Sequence, residues 1–201
     1  MKDWEEDQLV ERVENGAVFI YPTDTCYGIG CSIRSTEGID AVYRIKQRPE
    51  DKPVPVLLSE RDVELLVRPS AVEWDAIQRH WPGDLTLVME VKEPRKWDDR
   101  LLRENTMALR SPGLKPLNQF LSRVGPIVGT SANISGKPSP ARLEDVHSRL
   151  LAEVDFVLGD HEANGTSSTV AEWNPDSETW TIHREGPVDP DRLPAPDQVS
   201  S

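Results

Sequence analysis

Four stretches of this chain place small polar side chains directly after an apolar run. In α/β sheets such positions lie where strand-end loops converge on ligands. The first stretch, Tyr21-Pro22-Thr23-Asp24-Thr25-Cys26-Tyr27-Gly28, sets two hydroxyls and a carboxylate behind a strand-like run. Pro and Asp also make it an ordinary turn. The second holds four cations, Arg44, Lys46, Arg48 and Lys52, within nine positions. Arginine offers a planar fork to phosphate or carboxylate, and lysine a point charge. Two readings fit this cluster: an anion site, or cations favoured by the dipole at a helix C-terminus ahead of Pro49. The third, Gly129-Thr130-Ser131-Ala132-Asn133-Ile134-Ser135-Gly136, combines hydroxyls, an amide and backbone N–H groups with little bulk. Such a loop can cradle a phosphate or a carboxylate, or simply cap a helix. The fourth, Asn164-Gly165-Thr166-Ser167-Ser168-Thr169-Val170, is followed by Arg184 after the last strand-like run. It reads either as a ligand edge or as a Ser/Thr turn.

Several chemistries are not encoded. The histidines His80, His147, His161 and His183 stand in unrelated contexts, and no Ser/His/Asp arrangement is indicated. HExxH, an EF-hand loop, a dinucleotide GxGxxG and a Walker A loop are all missing. The two cysteines, Cys26 and Cys31, form neither a disulfide framework nor a zinc-knuckle spacing, and are read as structural thiols. No protein-held metal is expected. The net charge of −12 (23 basic against 35 acidic residues) opposes long-range attraction of nucleic acid, so a local basic island says more than the total.

The elements that must position these stretches follow from periodicity. Helices are predicted over 7–15 with Gly16 as stop, after a Ser35 cap, after Ser59/Asp62 and Ser70/Glu73 capping boxes, over 117–124 ending at Gly125, and over 143–151. Strands are predicted over 17–21, 54–58 (with Pro55 favouring a sheet edge), 85–91, 106–110, 126–130, 155–158, 169–172 and 179–183. Interleaved strands and helices favour a single α/β domain with a mixed sheet. Residues 1–187 are assigned to that domain, and the proline-rich 188–201 to a disordered tail. The acidic N-terminus lacks an apolar signal core, and no stretch approaches a bilayer span. A cytoplasmic protein without membrane contact is therefore expected.

Taken together the stretches resemble the Sua5/YciO/YrdC family. The resemblance lies in Pro22-Thr23-Asp24-Thr25-Cys26-Tyr27-Gly28, Lys46-Gln47-Arg48-Pro49, Trp81-Pro82-Gly83-Asp84-Leu85-Thr86, Leu109-Arg110-Ser111-Pro112, Ser131-Ala132-Asn133-Ile134-Ser135-Gly136, Ser168-Thr169-Val170 and Arg184-Glu185-Gly186, all in the family's order. It covers residues 8–187 and implies a YrdC-like (RibB-like) fold with a twisted mixed sheet, flanking helices and a concave, locally positive groove. It also implies threonylcarbamoyl-adenylate synthesis, in which L-threonine, bicarbonate and ATP give threonylcarbamoyl-AMP and pyrophosphate. A downstream tRNA threonylcarbamoyl transferase then modifies adenosine 37 of tRNA. Carried over residue by residue, Lys46 and Arg48 belong with the ATP phosphates, and Ser131 and Asn133 with the nucleotide and reacting centre. Arg184 falls to the nucleotide, Arg110 to the threonine carboxylate, and Thr25, Thr23 and Ser168 to the amino acid. Magnesium is implied with ATP, and tRNA contact is at most weak or indirect. Three features depart from the family pattern: residues 54–58 carry no histidine, Asp84 stands where proline is common, and the chain resembles the short form that lacks a further C-terminal domain. The first two keep a YciO-like paralogue with another substrate in view; an RNA-binding module is opposed by the net charge.

Overall fold

A computed structural model describes residues 7–195. In chain order the elements are α1 (Asp7–Glu14), β1 (Phe19–Pro22), β2 (Tyr27–Gly30), α2 (Thr36–Lys46), β3 (Val56–Leu57), α3 (Val63–Leu66), α4 (Ala71–His80), β4 (Leu85–Glu90), β5 (Thr106–Arg110), α5 (Lys115–Val124), β6 (Ile127–Val128), β7 (Thr130–Ser131), α6 (Ser148–Glu153), β8 (Phe156–Val157), β9 (Thr169–Asn174) and β10 (Thr179–Arg184), with short 3-10 turns between them. The strands form two mixed sheets, one in the order β7-β2-β1-β8 and one in the order β10-β9-β4-β5-β3-β6.

Local chemistry explains most boundaries. Ser35 caps α2 by accepting from Gly38 N at 3.0 Å, and Ser70 with Glu73 closes the expected capping box on α4. Gly125 ends α5. Ser59 and Asp62 do not form the expected box; Ser59 instead opens a 3-10 turn that leads into the four-residue α3. The predicted helix over 143–151 is a 3-10 turn at 143–145 followed by α6.

The predicted strand over 126–130 is also two strands. Ile127–Val128 pairs with β3, whereas Thr130–Ser131 pairs with β2 in the other sheet. Gly129 is the crossing point: its N–H bonds Pro55 O at 2.8 Å, and a Cβ there would lie 2.4 Å from the Leu57 side chain. Pro55 does not mark an edge, because β3 lies between β5 and β6 and the proline sits just before its first paired residue. β2, unmarked in the sequence reading, completes a fully buried hairpin with β1.

The core has two parts. The larger one fills the space between the sheets and α2, α3 and α4. The smaller one seats α1 and α5 on β1, with Leu9, Val13, Leu117, Phe120 and Leu121 against Phe19 and Tyr21. Phe19 stacks on Phe156 with centroids 5.0 Å apart, and meets Phe120 edge-on at 6.0 Å.

The expected tail boundary at residue 188 does not coincide with a loss of structure. Val188 exchanges backbone bonds with the Thr169 hydroxyl at 2.9 and 3.0 Å, Leu193 is buried, and Trp180 donates to Pro194 O at 2.8 Å. Few apolar residues suffice here because Val188 and Leu193 find core already built. Residues 196–201 of the expected tail lie outside the described residues.

Candidate active site

Strand direction brings the four stretches together. β4 runs parallel to β9 (Leu85 opposite Thr169) and antiparallel to β5 (Leu87 opposite Leu109). The N-terminal ends of β4 and β9 therefore share one sheet edge with the C-terminal ends of β5 and β10. That edge carries Asp84, Thr86, Arg110, Ser168 and Arg184. A register shift between Ile182 and Arg184 turns the last residue of β10 toward it. The other sheet contributes the turn after β1, with Thr23 and Thr25, and β7, with Ser131. Between them lies a cavity of about 270 Å³, whose lining includes Thr23, Thr25, Arg48, Arg110, Ser131, Ser168 and Arg184. Lys46 and Asn133, the other two expected site residues, are not in the lining but both bond Ser131, which is.

Thr23 builds the turn. Its hydroxyl accepts from Thr25 N and Cys26 N, both at 3.0 Å, and donates to Cys26 O at 2.7 Å. The turn presents Thr25, whose Oγ1 lies 2.9 Å from Thr23 Oγ1 and accepts from Arg110 Nη1 at 2.8 Å. The turn reading and the ligand reading of this stretch thus hold for different residues.

Arg110 is 5% exposed and heavily engaged. Nε donates to Gly83 O at 2.8 Å, and Nη2 donates to Asp24 Oδ1 at 2.7 Å and to Asp84 Oδ1 at 2.9 Å. The bidentate fork expected for a substrate carboxylate is therefore half occupied by protein carboxylates. Burial, then the charge of Asp24, raises the Asp84 carboxyl, against the pull of Arg110.

Lys46, the last residue of α2, is 1% exposed. Its ammonium donates to Ser131 O, to Asn133 O at 2.8 Å and to Asn133 Oδ1 at 3.2 Å. Asn133 Oδ1 in turn accepts from Ser131 Oγ at 2.6 Å. Burial, followed by the charge of Arg48, pushes Lys46 down to about 7. Here the lysine holds the 131–133 loop in place. Arg48 reaches the cavity with Nε on Lys52 O at 2.8 Å and Nη2 on Pro53 O at 2.7 Å, and its guanidinium lies within reach of the Tyr43 hydroxyl.

Arg184 donates from Nε to Ser168 O at 2.9 Å and from Nη2 to Ser168 Oγ at 3.0 Å. Ser168 Oγ also lies 2.8 Å from Thr86 Oγ1. Burial, then the charge of Arg110, lowers the Arg184 guanidinium. Thr86, Tyr21 and Cys26 also line the cavity but carry no assignment from the sequence. Thr86 lies within the quoted Trp81–Thr86 segment, and Asp24 within the first stretch, so both had a signal; Ser139, another lining residue, had none. Burial raises the Cys26 thiol, and both cysteines are free.

Such a lining can position and charge-stabilise anions: three guanidiniums and a set of hydroxyls face one cavity, with no histidine in its lining. The family model Sua5/YciO/YrdC, described as telomere recombination, matches residues 11–186. The chain belongs to the Sua5/YciO/YrdC family. Within that family it is 34% identical over 172 residues to the threonylcarbamoyl-AMP synthase of Bacillus subtilis, an alignment covering 81% of this chain and 48% of that protein. The crystal structure of Pyrococcus abyssi Sua5 complexed with L-threonine superposes with a TM-score of 0.78 at 28% identity, over 89% of this chain and 53% of that one. Escherichia coli YciO superposes with a TM-score of 0.79 at 26% identity, over 90% of this chain and 89% of that one. The chain thus spans about half the length of the first two relatives and most of the third. Among the described residues no helix is long and apolar enough to cross a membrane, and no group of His, Cys, Asp or Glu is arranged to hold a metal.

Proposed function

We propose that this chain is an L-threonylcarbamoyladenylate synthase, a nucleotidyltransferase that converts L-threonine, bicarbonate and ATP to threonylcarbamoyl-AMP, pyrophosphate and water. The observation that carries this reading is the convergence of Arg48, Arg110 and Arg184 with the hydroxyls of Thr25, Thr86, Ser131 and Ser168 on one cavity of a strongly acidic protein. The relatives that bear the synthase name, and the threonine complex of P. abyssi Sua5, support it.

The chemistry needs no enzyme nucleophile. The threonine amine adds to bicarbonate-derived carbon to give a carbamate, whose oxygen attacks the α-phosphorus as pyrophosphate leaves. The protein orders the reactants and balances charge developing on the phosphates. Arg48, on the cavity wall, faces the polyphosphate; Arg184 and the Lys46-braced pair Ser131 and Asn133 border the nucleotide and the reacting centre. Arg110 takes the threonine carboxylate, with Thr25, Thr23 and Ser168 around the amino acid. Magnesium enters bound to the ATP phosphates, which suits an ion that keeps several waters and needs few protein ligands. The product passes to a tRNA threonylcarbamoyl transferase acting on adenosine 37, in the cytoplasm. With a net charge of −12, this chain's own contact with tRNA is weak or indirect.

One observation favours a second reading, a YciO-like paralogue with a different amine substrate: the Arg110 fork is already shared by Asp24 and Asp84. Pyrophosphate release from ATP and magnesium separates the two. Release that requires both L-threonine and bicarbonate, and that falls about 10²-fold or more in Arg110→Ala, supports the synthase. Release indifferent to threonine, or stimulated by another amine, overturns it in favour of the paralogue.

A further inference from the structure

We propose that Asp84 is a positioning residue that tunes the charge of Arg110, restraining the affinity of the site for an amino-acid carboxylate until Asp84 is neutralised or moves aside. The inference rests on reading Arg110 as the partner of the substrate carboxylate.

One guanidinium nitrogen, Arg110 Nη2, serves two carboxylates, at 2.7 Å for Asp24 and 2.9 Å for Asp84. The three groups sum to one negative charge where an anionic group is to be received. The two aspartates are not equivalent. Asp24 is tied twice, since its Oδ2 also accepts from Gly113 N at 2.9 Å. Asp84 bonds through its side chain to Arg110 and interacts with the Asp24 carboxyl, and no backbone N–H holds its carboxyl among the described residues. Its backbone is fixed independently: Asp84 O accepts from Thr169 N at 2.9 Å, and the neighbouring Gly83 N donates to Ser111 O at 2.9 Å. The Asp84 carboxyl thus has fewer fixed ties than that of Asp24, while its backbone stays in place.

Arg110 keeps its aim without that charge. Gly83 O holds Nε, Thr25 Oγ1 holds Nη1, and Asp24 still holds Nη2. The charged groups facing Asp84 are Asp24, from the turn after β1, and Arg110, at the end of β5; Arg184, on β10, interacts by charge with Arg110. Burial and Asp24 both favour the protonated carboxyl of Asp84, so it gives up its charge at a higher pH than an ordinary aspartate. Lowering the pH toward that range therefore frees Arg110 for a substrate carboxylate, which stays ionised.

The test is calorimetric titration of the full chain with L-threonine, for the wild type and Asp84→Asn, between about pH 5 and about pH 8. Asparagine keeps the Oδ1 acceptor and the shape while removing the charge. Expected is threonine binding about three- to tenfold tighter in Asp84→Asn at the upper pH, the effect of one partly screened charge several ångströms away. The wild type should move toward the affinity of the variant as the pH falls, and the variant should show a flattened profile. Equal or weaker binding by Asp84→Asn, or an undiminished pH trend in that variant, overturns the proposal while leaving the synthase reading intact. Threonine binding in neither protein, together with pyrophosphate release that ignores threonine, overturns the synthase reading and this proposal with it.

Discussion

Lys46→Met separates two roles for the buried lysine. Methionine keeps an unbranched apolar stem of similar reach and removes the ammonium. Of the three oxygens that the ammonium serves, Ser131 O also accepts from Asn133 N at 2.9 Å, and Asn133 Oδ1 also accepts from Ser131 Oγ at 2.6 Å. Asn133 O has no second partner among the described residues, so the substitution strands one partly buried carbonyl. That costs about 1–2 kcal/mol, the lower part of the range for an unsatisfied group. For a chain of this size it lowers the melting temperature by about 2–8 °C. Well above pH 7 the wild-type amine is already neutral in the fold, so no buried charge is relieved to offset the loss. Catalysis suffers more than stability, because Ser131 and Asn133 sit on the released loop; a shift of about 1 Å there costs about 10²-fold in kcat. Calorimetric melting and pyrophosphate-release kinetics read both effects. The pH dependence supplies an independent check. Lys46 titrates at about 7 in the fold against an ordinary value of 10.5, so between these limits the unfolded chain holds a proton that the fold does not. This contribution therefore makes stability rise with pH across the window, and Lys46→Met flattens that rise. A variant with unchanged melting temperature and kcat, and a raised KM for ATP alone, would refute the loop-bracing argument and put Nζ on the phosphates.

Gly30→Ala tests the seam between the sheets: its Cβ would lie 1.9 Å from Val128 O, a backbone atom that cannot swing aside. A loss of about 2–4 kcal/mol in denaturant unfolding is expected, and a loss below about 1 kcal/mol would show that the two strands separate more easily than their packing implies. Arg184→Gln removes a cation from the cavity wall while leaving Ser168 Oγ bonded to Thr86. It should lower kcat/KM for ATP about 10- to 100-fold with little change in melting temperature, and an unaltered ATP dependence would remove Arg184 from the nucleotide site.

What the sequence disclosed depended on whether a signal was local. Capping at Ser35 and Ser70, the Gly125 stop and the β5 boundaries are set by neighbours within a few residues, and they read correctly. The division of 126–130 was illegible, because the apolar run is continuous and the break at Gly129 comes from Leu57 and Pro55, both distant in sequence. The two-sheet arrangement follows from that break and was illegible for the same reason. At the site, residue types pointed to the right stretches but not to their division of labour. Thr23 and Thr25 differ by two positions and look alike in the sequence; pairing across the fold makes one a turn builder and the other a partner of Arg110. The ordering of 188–195 depends on the Thr169 hydroxyl and on a core that its own composition does not announce.

The unequal state of the arginines bears on how one cavity could seat two anionic reactants without exchanging them. A polyphosphate carries far more charge than an amino-acid carboxylate, and unmodified guanidiniums throughout would favour it everywhere. Arg48 donates to the carbonyls of Lys52 and Pro53 and makes no ion pair with a carboxylate among the described residues. Arg110 is shared by two carboxylates, which repel a polyphosphate more strongly than a single carboxylate. On the proposed assignment, the same pair that restrains threonine binding would also direct ATP toward Arg48. Neutralising Asp84 should therefore narrow the difference between the two ends of the cavity, so that ATP at high concentration competes with threonine in Asp84→Asn and does not in the wild type. Competition of equal strength in both proteins would show that the shape of the cavity, and not the charge around Arg110, keeps the two substrates apart.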